Sequence, residues 1–425
     1  MAHLEVTENC NHRCTHCYRL DSDPLNRPHY AIEDEIIINN VRKLIEGGIL
    51  QIIITGGEPL IKKELVKKII RISVDKGVSI SINTNLTLAD DDIINFLRTT
   101  NTRILTSCPS GVEETFKKIT LTNNFECFQK NLIKVINAGI KTAVNMVVTK
   151  ENKSEIRDTA AFLKSLGCTS FCLTPVALNM CYPNKDLLLS KEEIHDVIYD
   201  LLWIENELGM KVDILDGLPK CIIPSDILKE QHLFLYRRCQ AGRTFVAVSP
   251  NGDVRPCANT LLSYGNINES GLVDIWNKMY KWRTEAYIPS QCEGCLWINR
   301  CLGGCRANAM ALNRRWDAPD LWEPNPIKVE PPSHSKTIQL NDNTVLRTNK
   351  NIKIRKEGDD AYLAYCIDHK TFCMFNRETM DFIDYLDRNG SLSYRDILSS
   401  CSRNQDKTLI SDIITLLIKY KIIKT

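Results

Sequence analysis

The sequence lacks the features that would send the chain into a membrane or onto a nucleic acid. No apolar run within its 425 residues approaches the length needed to span a bilayer. Its first residues, MAHLEVTENC, lack the basic region and the apolar stretch of a secretory signal. The 54 Lys and Arg residues nearly balance the 52 Asp and Glu residues, and a net charge of +2 gives no case for a nucleic-acid or membrane-surface partner. We therefore expect a cytoplasmic protein.

Cysteine, in contrast, is abundant, with 18 residues. In a reducing compartment such an excess is more often metal-binding or catalytic than disulfide-forming. The length of the chain favours two or three domains.

Short apolar strands alternate with helical patterns over the first 175 residues. The predicted strands are 3–6, 51–55, 78–83, 103–107, 142–148 and 170–175. Segments between them, such as 32–48 and 128–140, have apolar residues three and four apart and glycine near the end. Six such units predict an α/β fold with parallel strands, a partial (β/α)6 barrel whose reactive groups lie on loops after the strands.

The remaining chain divides by composition into further segments. We expect the barrel in 1–200, a cysteine-rich domain in 201–322, a Pro-rich linker in 323–343, and a small domain in 344–425. Within them, residues 185–235 are predicted to be helical, without recognisable chemistry. The last domain should contain three short strands, NIKIRK, AYLAYC and TFCMFN, followed by helices capped at Asn376 and by the box SYRD (393–396).

Three cysteines, Cys10, Cys14 and Cys17, follow the first predicted strand in the spacing C-x3-C-x2-C. A tetrahedral zinc site needs a fourth ligand, but His12 and His16 each adjoin a cysteine, which makes joint chelation awkward. A four-iron cluster gives a better account, because three thiolates would leave one iron open to a small molecule.

This spacing, followed by an aromatic residue, resembles the signature of the radical SAM enzymes. The resemblance implies a [4Fe–4S] cluster on the three cysteines, with the amino and carboxylate groups of S-adenosylmethionine on the open iron. TGGEP (55–59), after the second strand, matches the family motif for the methionine part of that cofactor. The cofactor-binding residues implied in this way are Tyr18, Gly56, Gly57, Glu58, Pro59, Asn85, Ser107 and Asn145.

The resemblance also implies the chemistry of the cofactor. A reduced cluster cleaves S-adenosylmethionine to methionine and a 5′-deoxyadenosyl radical, which abstracts hydrogen from an unactivated C–H bond. A flavodoxin or a ferredoxin-type protein would supply the electron. No proton donor or acceptor can be named, and Cys108, Cys172 and Cys181 are either hydrogen-atom donors or ordinary small buried residues.

A second group of cysteines follows the pattern C-x12-G-x4-C and then C-x2-C-x5-C-x3-C. This pattern resembles the SPASM domain and implies two auxiliary [4Fe–4S] clusters. By resemblance, Cys292, Cys295 and Cys301 hold one cluster, and Cys239, Cys257 and Cys305 hold the other, which Cys221 could complete. The usual later cysteine is absent between 305 and 366, so Asp317, Asp320 or Glu323 supplies an oxygen ligand, or an iron stays open.

The C-terminal segment resembles the PqqD-like winged helix, in which a leader peptide adds a strand to a sheet edge. Winged helices also bind DNA, but no basic helix face is evident here. The leading hypothesis is a radical SAM/SPASM enzyme that introduces an oxidative crosslink, such as a thioether or C–C bond, into a ribosomal precursor peptide. The alternatives are a maturase of a folded protein, as in sulfatase maturation, and a non-catalytic iron–sulfur electron carrier or zinc-stabilised binding module.

Overall fold

The computed structural model of the chain describes residues 1–18, 32–180, 184–229, 237–323, 325–328, 340–358, 360–369, 371–400 and 404–425. It forms two compact units, Met1–Pro332 and Ser333–Thr425. Most of the expected linker at 323–343 lies outside the described residues, and the domain boundaries drawn from the sequence stay predictions. Among the described residues, none of the helices combines the length and apolar composition that crossing a bilayer requires.

A nine-stranded sheet forms the centre of the first unit. Its strands are β1 (Ala2–Glu5), β2 (Gln51–Thr55), β3 (Ser79–Thr84), β4 (Arg103–Ser107), β5 (Thr142–Val148), β6 (Ser170–Pro175), β7 (Lys211–Ile214), β8 (Val246–Val248) and β9 (Val254–Arg255). Their order is β7-β6-β5-β4-β3-β2-β1-β8-β9. Neighbouring strands are parallel except β9, which runs antiparallel to β8.

The predicted α/β fold with a mostly parallel sheet is confirmed, and the six predicted strands match within one residue. The sheet extends further at both ends, however. The seventh parallel strand, β7, lies in the segment 185–235, so the prediction that this segment is helical is wrong in part. At the other end, β8 pairs with β1 and joins the cysteine-rich region to the same sheet.

The first unit also contains α-helices, of which the longer ones bury one apolar face in the core that they share with the sheet. The helices are α1 (Asp34–Glu46), α2 (Lys63–Asp75), α3 (Asp91–Thr99), α4 (Glu113–Thr120), α5 (Phe125–Asn137), α6 (Ile156–Ser165), α7 (Lys191–Leu208), α8 (Ser225–Lys229), α9 (Leu272–Lys278), α10 (Tyr280–Arg283), α11 (Ile298–Cys301) and α12 (Arg306–Asn313). In α1, for example, Ile37, Val41 and Leu44 are fully buried and belong to the same core as Leu4 and Ile52 of the sheet.

The second unit has its own core. Its elements are β10 (Val345–Thr348), β11 (Ile352–Gly358), β12 (Ala361–Cys366), β13 (Thr371–Phe375), α13 (Arg377–Asn389), β14 (Ser391–Ser393), α14 (Tyr394–Ser399), α15 (Asn404–Lys419) and β15 (Ile423–Lys424). The three predicted strands form an antiparallel meander, β11-β12-β13, and a second small sheet has the order β14-β10-β15.

Both predicted helix caps of the second unit are present. The side chain of Asn376 accepts a hydrogen bond from Thr379 N at 3.1 Å, and that of Ser393 accepts one from Asp396 N at 3.1 Å. The assignment of this unit as a PqqD-like winged helix stays a prediction.

Candidate functional site

The loop after β1 carries the first cysteine triplet, Cys10, Cys14 and Cys17. All three thiols are partly exposed. The loop is held by the end of α4, because Arg13 N donates to Thr120 O at 3.0 Å. The triplet therefore lies at the carboxyl end of β1, the edge at which parallel α/β folds place reactive groups.

The loop after β2 pairs with the segment that leads into the triplet. Gly57 N donates to Thr7 O at 2.7 Å, and Glu58 N donates to Asn9 O at 2.8 Å. A Cβ atom on Gly56 would lie 2.3 Å from Thr7 O, and one on Gly57 would lie 2.0 Å from Asn9 O. Gly56 also has φ +137°, which disfavours any other residue. The two glycines thus permit a backbone approach that side chains would prevent.

Glu58 connects this loop to the end of β3. Its carboxylate is 1% exposed and accepts hydrogen bonds from Leu60 N (2.9 Å), Thr84 Oγ1 (2.6 Å) and Asn85 N (2.7 Å). Burial raises the pKa of Glu58 to about 6, against the opposing effect of these donors. A carboxylate has about four acceptor positions, so one remains for a further donor, such as the predicted ammonium group.

Asn85 links the end of β3 directly to the cysteine loop. Its Nδ2 donates to Asn11 Oδ1 at 2.8 Å, and its Oδ1 accepts from Thr87 Oγ1 at 2.7 Å. Asn11 Nδ2 in turn donates to Thr87 Oγ1 at 2.8 Å. Asn85 therefore fixes the loop between the first two cysteines, together with Asn11. The sequence did not reveal this role of Asn11.

Three other predicted cofactor residues lie at or near strand ends. Pro59 is buried and begins the short 3-10 turn that Glu58 caps. Ser107 is exposed at the end of β4, and its register neighbour on β5 is Asn145. Asn145 is 8% exposed, and its Oδ1 accepts from Thr174 Oγ1 at 2.9 Å. Ser107 and Asn145 therefore stand side by side on adjacent strands.

The two histidines of the loop both have a lowered pKa. His12 is 4% exposed, and its Nε2 lies 3.4 Å from Asn124 Nδ2. Burial lowers the pKa of His12 to about 4 and that of His16 to about 4, the latter against the opposing charge of Glu151. Both rings are therefore neutral at pH 7.

A cavity of about 390 Å³ opens beside the carboxyl end of β1. Tyr18 and Gly56 line one side of it, and Asp253 and Arg255 line another. Arg255 Nη2 forms an ion pair with Glu5 Oε1 at 2.5 Å, which joins β9 to β1 across the cavity wall. Burial raises the pKa of Tyr18, so its hydroxyl stays protonated. The cavity is large enough for part of a small molecule or a peptide segment.

Cys292, Cys295 and Cys301, called here the compact set, line one pocket together with Cys221. Burial raises the pKa of Cys221 to about 12, and the charges of Cys301 and Cys292 add to this effect. Burial likewise raises the pKa of Cys292 to about 11. From the sequence we expected that Cys221 could complete the set of Cys239, Cys257 and Cys305. The structure instead places Cys221 in the pocket of the compact set.

Cys239, Cys257 and Cys305, called here the dispersed set, come together from distant positions. Burial raises the pKa of Cys257 to about 12 and that of Cys305 well above the usual value, and the charges of Asp216 and Cys239 raise both further. Asp216 was missed in the sequence, because DGLP at 216–219 is indistinguishable from a turn.

The three carboxylates considered as oxygen ligands have protein partners. Asp317 is held by Arg315, with contacts of 3.1 and 2.8 Å, and Glu323 forms an ion pair with Lys191. Asp320 is 3% exposed, and its two oxygens accept from the backbone N–H groups of residues 305 and 322 at 2.7 and 3.2 Å. Asp320 therefore braces the backbone of Cys305.

The predicted ligand residues fit iron–sulfur groups chemically. Three of the sulfurs accept a backbone N–H at 3.4 Å: Cys10 from His12, Cys257 from Asn259, and Cys301 from Lys220. Such donors stabilise the negative charge of a thiolate bound to iron. Within the described ranges, no three Cys, His, Asp or Glu side chains converge on a point that one metal ion could occupy. The cluster ligand sets stay predictions.

The cysteines considered as hydrogen-atom donors are buried where the structure describes them. Cys108 is fully buried and its thiol donates to Ser110 O at 3.2 Å. Cys172 is 5% exposed and stands between Asn145 and Asp213 in the sheet register. Cys181 lies outside the described residues.

Comparison with known families finds two matches. Residues 4–163 match the family model of the Radical SAM superfamily, and residues 239–296 match that of an iron–sulfur cluster-binding domain, SPASM. The first match covers β1 to β5 of the sheet with the cysteine and glycine loops, and the second covers part of both auxiliary cysteine sets.

The names of two curated relatives refer to the cyclisation of a peptide and to the biosynthesis of a bacteriocin. A PqqA peptide cyclase of Granulibacter bethesdensis is 25% identical over 340 residues, 74% of this chain and 84% of the relative. The antilisterial bacteriocin subtilosin biosynthesis protein AlbA of Bacillus subtilis is 27% identical over 333 residues, 74% of this chain and 68% of the relative.

The crystal structure of Streptococcus suis SuiB has the same fold. Bound to S-adenosylmethionine, it matches with a TM-score of 0.60 at 16% identity over 75% of each chain. Bound to its precursor peptide SuiA, it matches with a TM-score of 0.59 at 17% identity, over 77% of this chain and 74% of SuiB.

Proposed function

We propose that this chain, a radical SAM enzyme with a SPASM domain, modifies a ribosomally synthesised precursor peptide. S-adenosylmethionine and several [4Fe–4S] clusters are its cofactors. The observation that carries the proposal is the backbone pairing of the cysteine loop with the Gly56–Gly57 loop at the ends of β1 and β2. The names of the relatives, a peptide cyclase and a bacteriocin biosynthesis protein, support a peptide as the substrate.

The residues around β1 would position the reactants. Cys10, Cys14 and Cys17 would hold the cluster, which when bound and reduced supplies the electron that cleaves S-adenosylmethionine to a hydrogen-abstracting 5′-deoxyadenosyl radical. The glycine loop would receive the methionine part, and Glu58 would accept from its ammonium group. The adjoining cavity of about 390 Å³ would then hold the peptide segment to be modified and exclude water from it.

The second unit would bind the leader of the peptide. Within the part of the chain that the structure describes, β11 pairs with β12 alone, so the backbone groups of its outer edge are open to another strand. Main-chain hydrogen bonds to an added strand would provide affinity. Lys353 and Lys356 on β11 favour a leader with acidic residues.

The product we propose is an oxidative crosslink, such as a thioether or a C–C bond, within the core of the peptide. The 5′-deoxyadenosyl radical would take one hydrogen atom from the peptide, and formation of the crosslink would release the second hydrogen as a proton and return one electron to an iron–sulfur cluster. A flavodoxin or a ferredoxin-type protein would reduce the cluster. The crosslink would follow from hydrogen abstraction in the core of the peptide, while the sheet edge would bind its leader.

Co-expression with a short peptide encoded beside this chain tests the proposal. Anaerobic, reduced enzyme should release 5′-deoxyadenosine, and mass spectrometry should find the peptide lighter by two hydrogens, whereas Cys14→Ala should do neither. Lys353→Glu with Lys356→Glu should weaken peptide binding, whereas Arg388→Glu, an exposed charge on α13, should not.

Each contrary result identifies a different error. If S-adenosylmethionine stays intact, the chain is instead a non-catalytic electron carrier or a zinc-stabilised binding module. Cleavage with an unmodified peptide but a modified folded protein would indicate a protein maturase.

A further inference from the structure

Cys221 occupies a position that the spacing of the cysteines does not predict. It lies on a short 3-10 turn, Lys220–Ile222, that precedes the cysteine-rich pattern in sequence. The turn packs on the compact set, because Lys220 N donates to Cys301 Sγ at 3.4 Å. Cys221 and all three cysteines of the compact set line the same pocket. Four cysteines that line one pocket can supply the complete ligand set of a [4Fe–4S] cluster.

Two carboxylates also border that pocket, but both already have partners within the protein. Glu323 is paired with Lys191, and Asp320 holds the backbone N–H groups of Cys305 and Trp322. Moving either to iron would break these contacts. Among the described residues, Cys221 has no ion pair with a charged side chain, and its sulfur matches the other three ligands.

The dispersed set is then left with three cysteines and a neighbouring carboxylate. Gly217 packs directly on the backbone that carries Cys239: a Cβ atom there would lie 2.8 Å from Arg238 Cα and 2.9 Å from Cys239 N. Asp216, the preceding residue, is therefore held beside Cys239. Its carboxylate is partly buried, and no hydrogen bond to it occurs among the described residues, since Arg237 is engaged by Asp213.

We propose that Cys221 is the fourth ligand of the cluster in the compact set and that the carboxylate of Asp216 is the fourth ligand in the dispersed set. The two auxiliary clusters then differ, one with four sulfurs and one with three sulfurs and an oxygen. The proposal rests on the proposed function only in requiring the auxiliary clusters, and it makes no use of the substrate.

The experiment uses the full-length chain with Cys10, Cys14 and Cys17 replaced by alanine, so that only auxiliary clusters are reconstituted. That background should hold about eight iron atoms per chain. Cys221→Ala should lose about half of the iron and sulfide or give the EPR signal of a three-iron cluster. Cys221→Ser, which keeps the side-chain size, separates loss of a ligand from loss of packing. Cys127→Ser, an exposed cysteine on α5, is the control and should change nothing.

The second half is tested by Mössbauer spectroscopy in the same background. Asp216→Ala should alter the spectrum of one cluster and leave the other unchanged, and Asp216→Cys should restore a four-sulfur spectrum. Asp317→Asn, whose carboxylate is exposed and held by Arg315, is the matched control. Full iron and unchanged spectra in Cys221→Ala and Cys221→Ser would overturn the first assignment. Unchanged spectra in Asp216→Ala would overturn the second and leave an open iron. Because the background cannot cleave S-adenosylmethionine, these outcomes are independent of the test of the proposed function.

Discussion

Gly57→Ala is a direct perturbation of the pairing between the glycine loop and the cysteine loop. The new methyl group would lie 2.0 Å from Asn9 O and 2.7 Å from Glu8 O. Carbon–oxygen contacts in proteins are about 3.3 Å or longer, so the two backbone segments must separate by more than about 1 Å. Both atoms belong to the backbone, so no side-chain rotation can relieve the contact.

The separation removes two hydrogen bonds, from Gly57 N to Thr7 O at 2.7 Å and from Glu58 N to Asn9 O at 2.8 Å. Each contributes about 1 kcal/mol, and the added strain of overpacking costs about 1–3 kcal/mol. We expect the free energy of unfolding of the first unit to fall by about 3–5 kcal/mol. A displacement of about 1 Å between cluster and cofactor should lower the rate of 5′-deoxyadenosine release about a hundredfold.

The assay measures that rate under anaerobic conditions, together with urea unfolding and iron content. Gly271→Ala is the control, because its nearest atom, Asp274 Oδ2, would lie at 3.5 Å and the backbone need not move. Iron in the auxiliary sets should be retained in both variants, since Gly57 is remote from those cysteines in sequence and contacts the loop after β1. A Gly57→Ala enzyme with the wild-type rate and stability would refute the argument that this close approach positions the cofactor.

Two further predictions concern buried charges. Burial raises the pKa of Glu58 to about 6 from 4.5, so its stabilising contribution is complete below pH 4.5 and falls by about 2 kcal/mol as pH rises through 6. Glu58→Gln should abolish that step in urea unfolding compared at pH 4.5 and 7, and a step of the same size would contradict the assignment. Lys220 is 1% exposed, its Nζ donates to Arg237 O at 2.9 Å, and its backbone contacts Cys301. Removing its charge in Lys220→Met should lower the reduction potential of the neighbouring auxiliary cluster, on the order of 50 mV, in EPR-monitored titration; an unchanged potential would place the charge too far away.

Much of the first unit was predictable because its strands are short, apolar and separated by amphipathic helices. QIIIT of β2 and TAVNMVV of β5 begin and end as their composition indicates. β7, with the sequence KVDI, has only two apolar residues, and α7 before it has an 18-residue helical pattern that dominates the region. β8 and β9 are two or three residues long, too short for any periodicity to be detected.

The candidate site likewise has a part that the sequence predicts and a part that it does not. Local motifs predicted the cysteine triplet and the two glycines, because the residues of each motif are adjacent or closely spaced in the sequence. The pairing of Glu58 with Thr84 and Asn85, and that of Asn85 with Asn11, join residues more than 25 positions apart. No local pattern encodes such contacts. The position of Cys221 at the pocket of the compact set and that of Asp216 near Cys239 likewise result from packing and are not encoded in the spacing of the cysteines.

The segment between Cys301 and Cys305 shows how the backbone angles of a few residues can determine where two nearby cysteines lie. The three residues between them all have positive φ: Leu302 at 59°, Gly303 at 75° and Gly304 at 87°. A Cβ atom on Gly304 would lie 2.3 Å from Asp320 Oδ2. The chain thus reverses where Asp320 closes on it and accepts from Cys305 N.

The consequence of this reversal is that two cysteines four positions apart face different sets. A regular helix would place such residues on one face, where both would reach the same cluster. Here Cys301 lines the pocket of the compact set, while Cys305 interacts with Cys239 of the dispersed set. The left-handed stretch costs about 1–2 kcal/mol at Leu302, where glycine is absent. That local cost is the physical reason why one continuous segment can place its two cysteines in different sets.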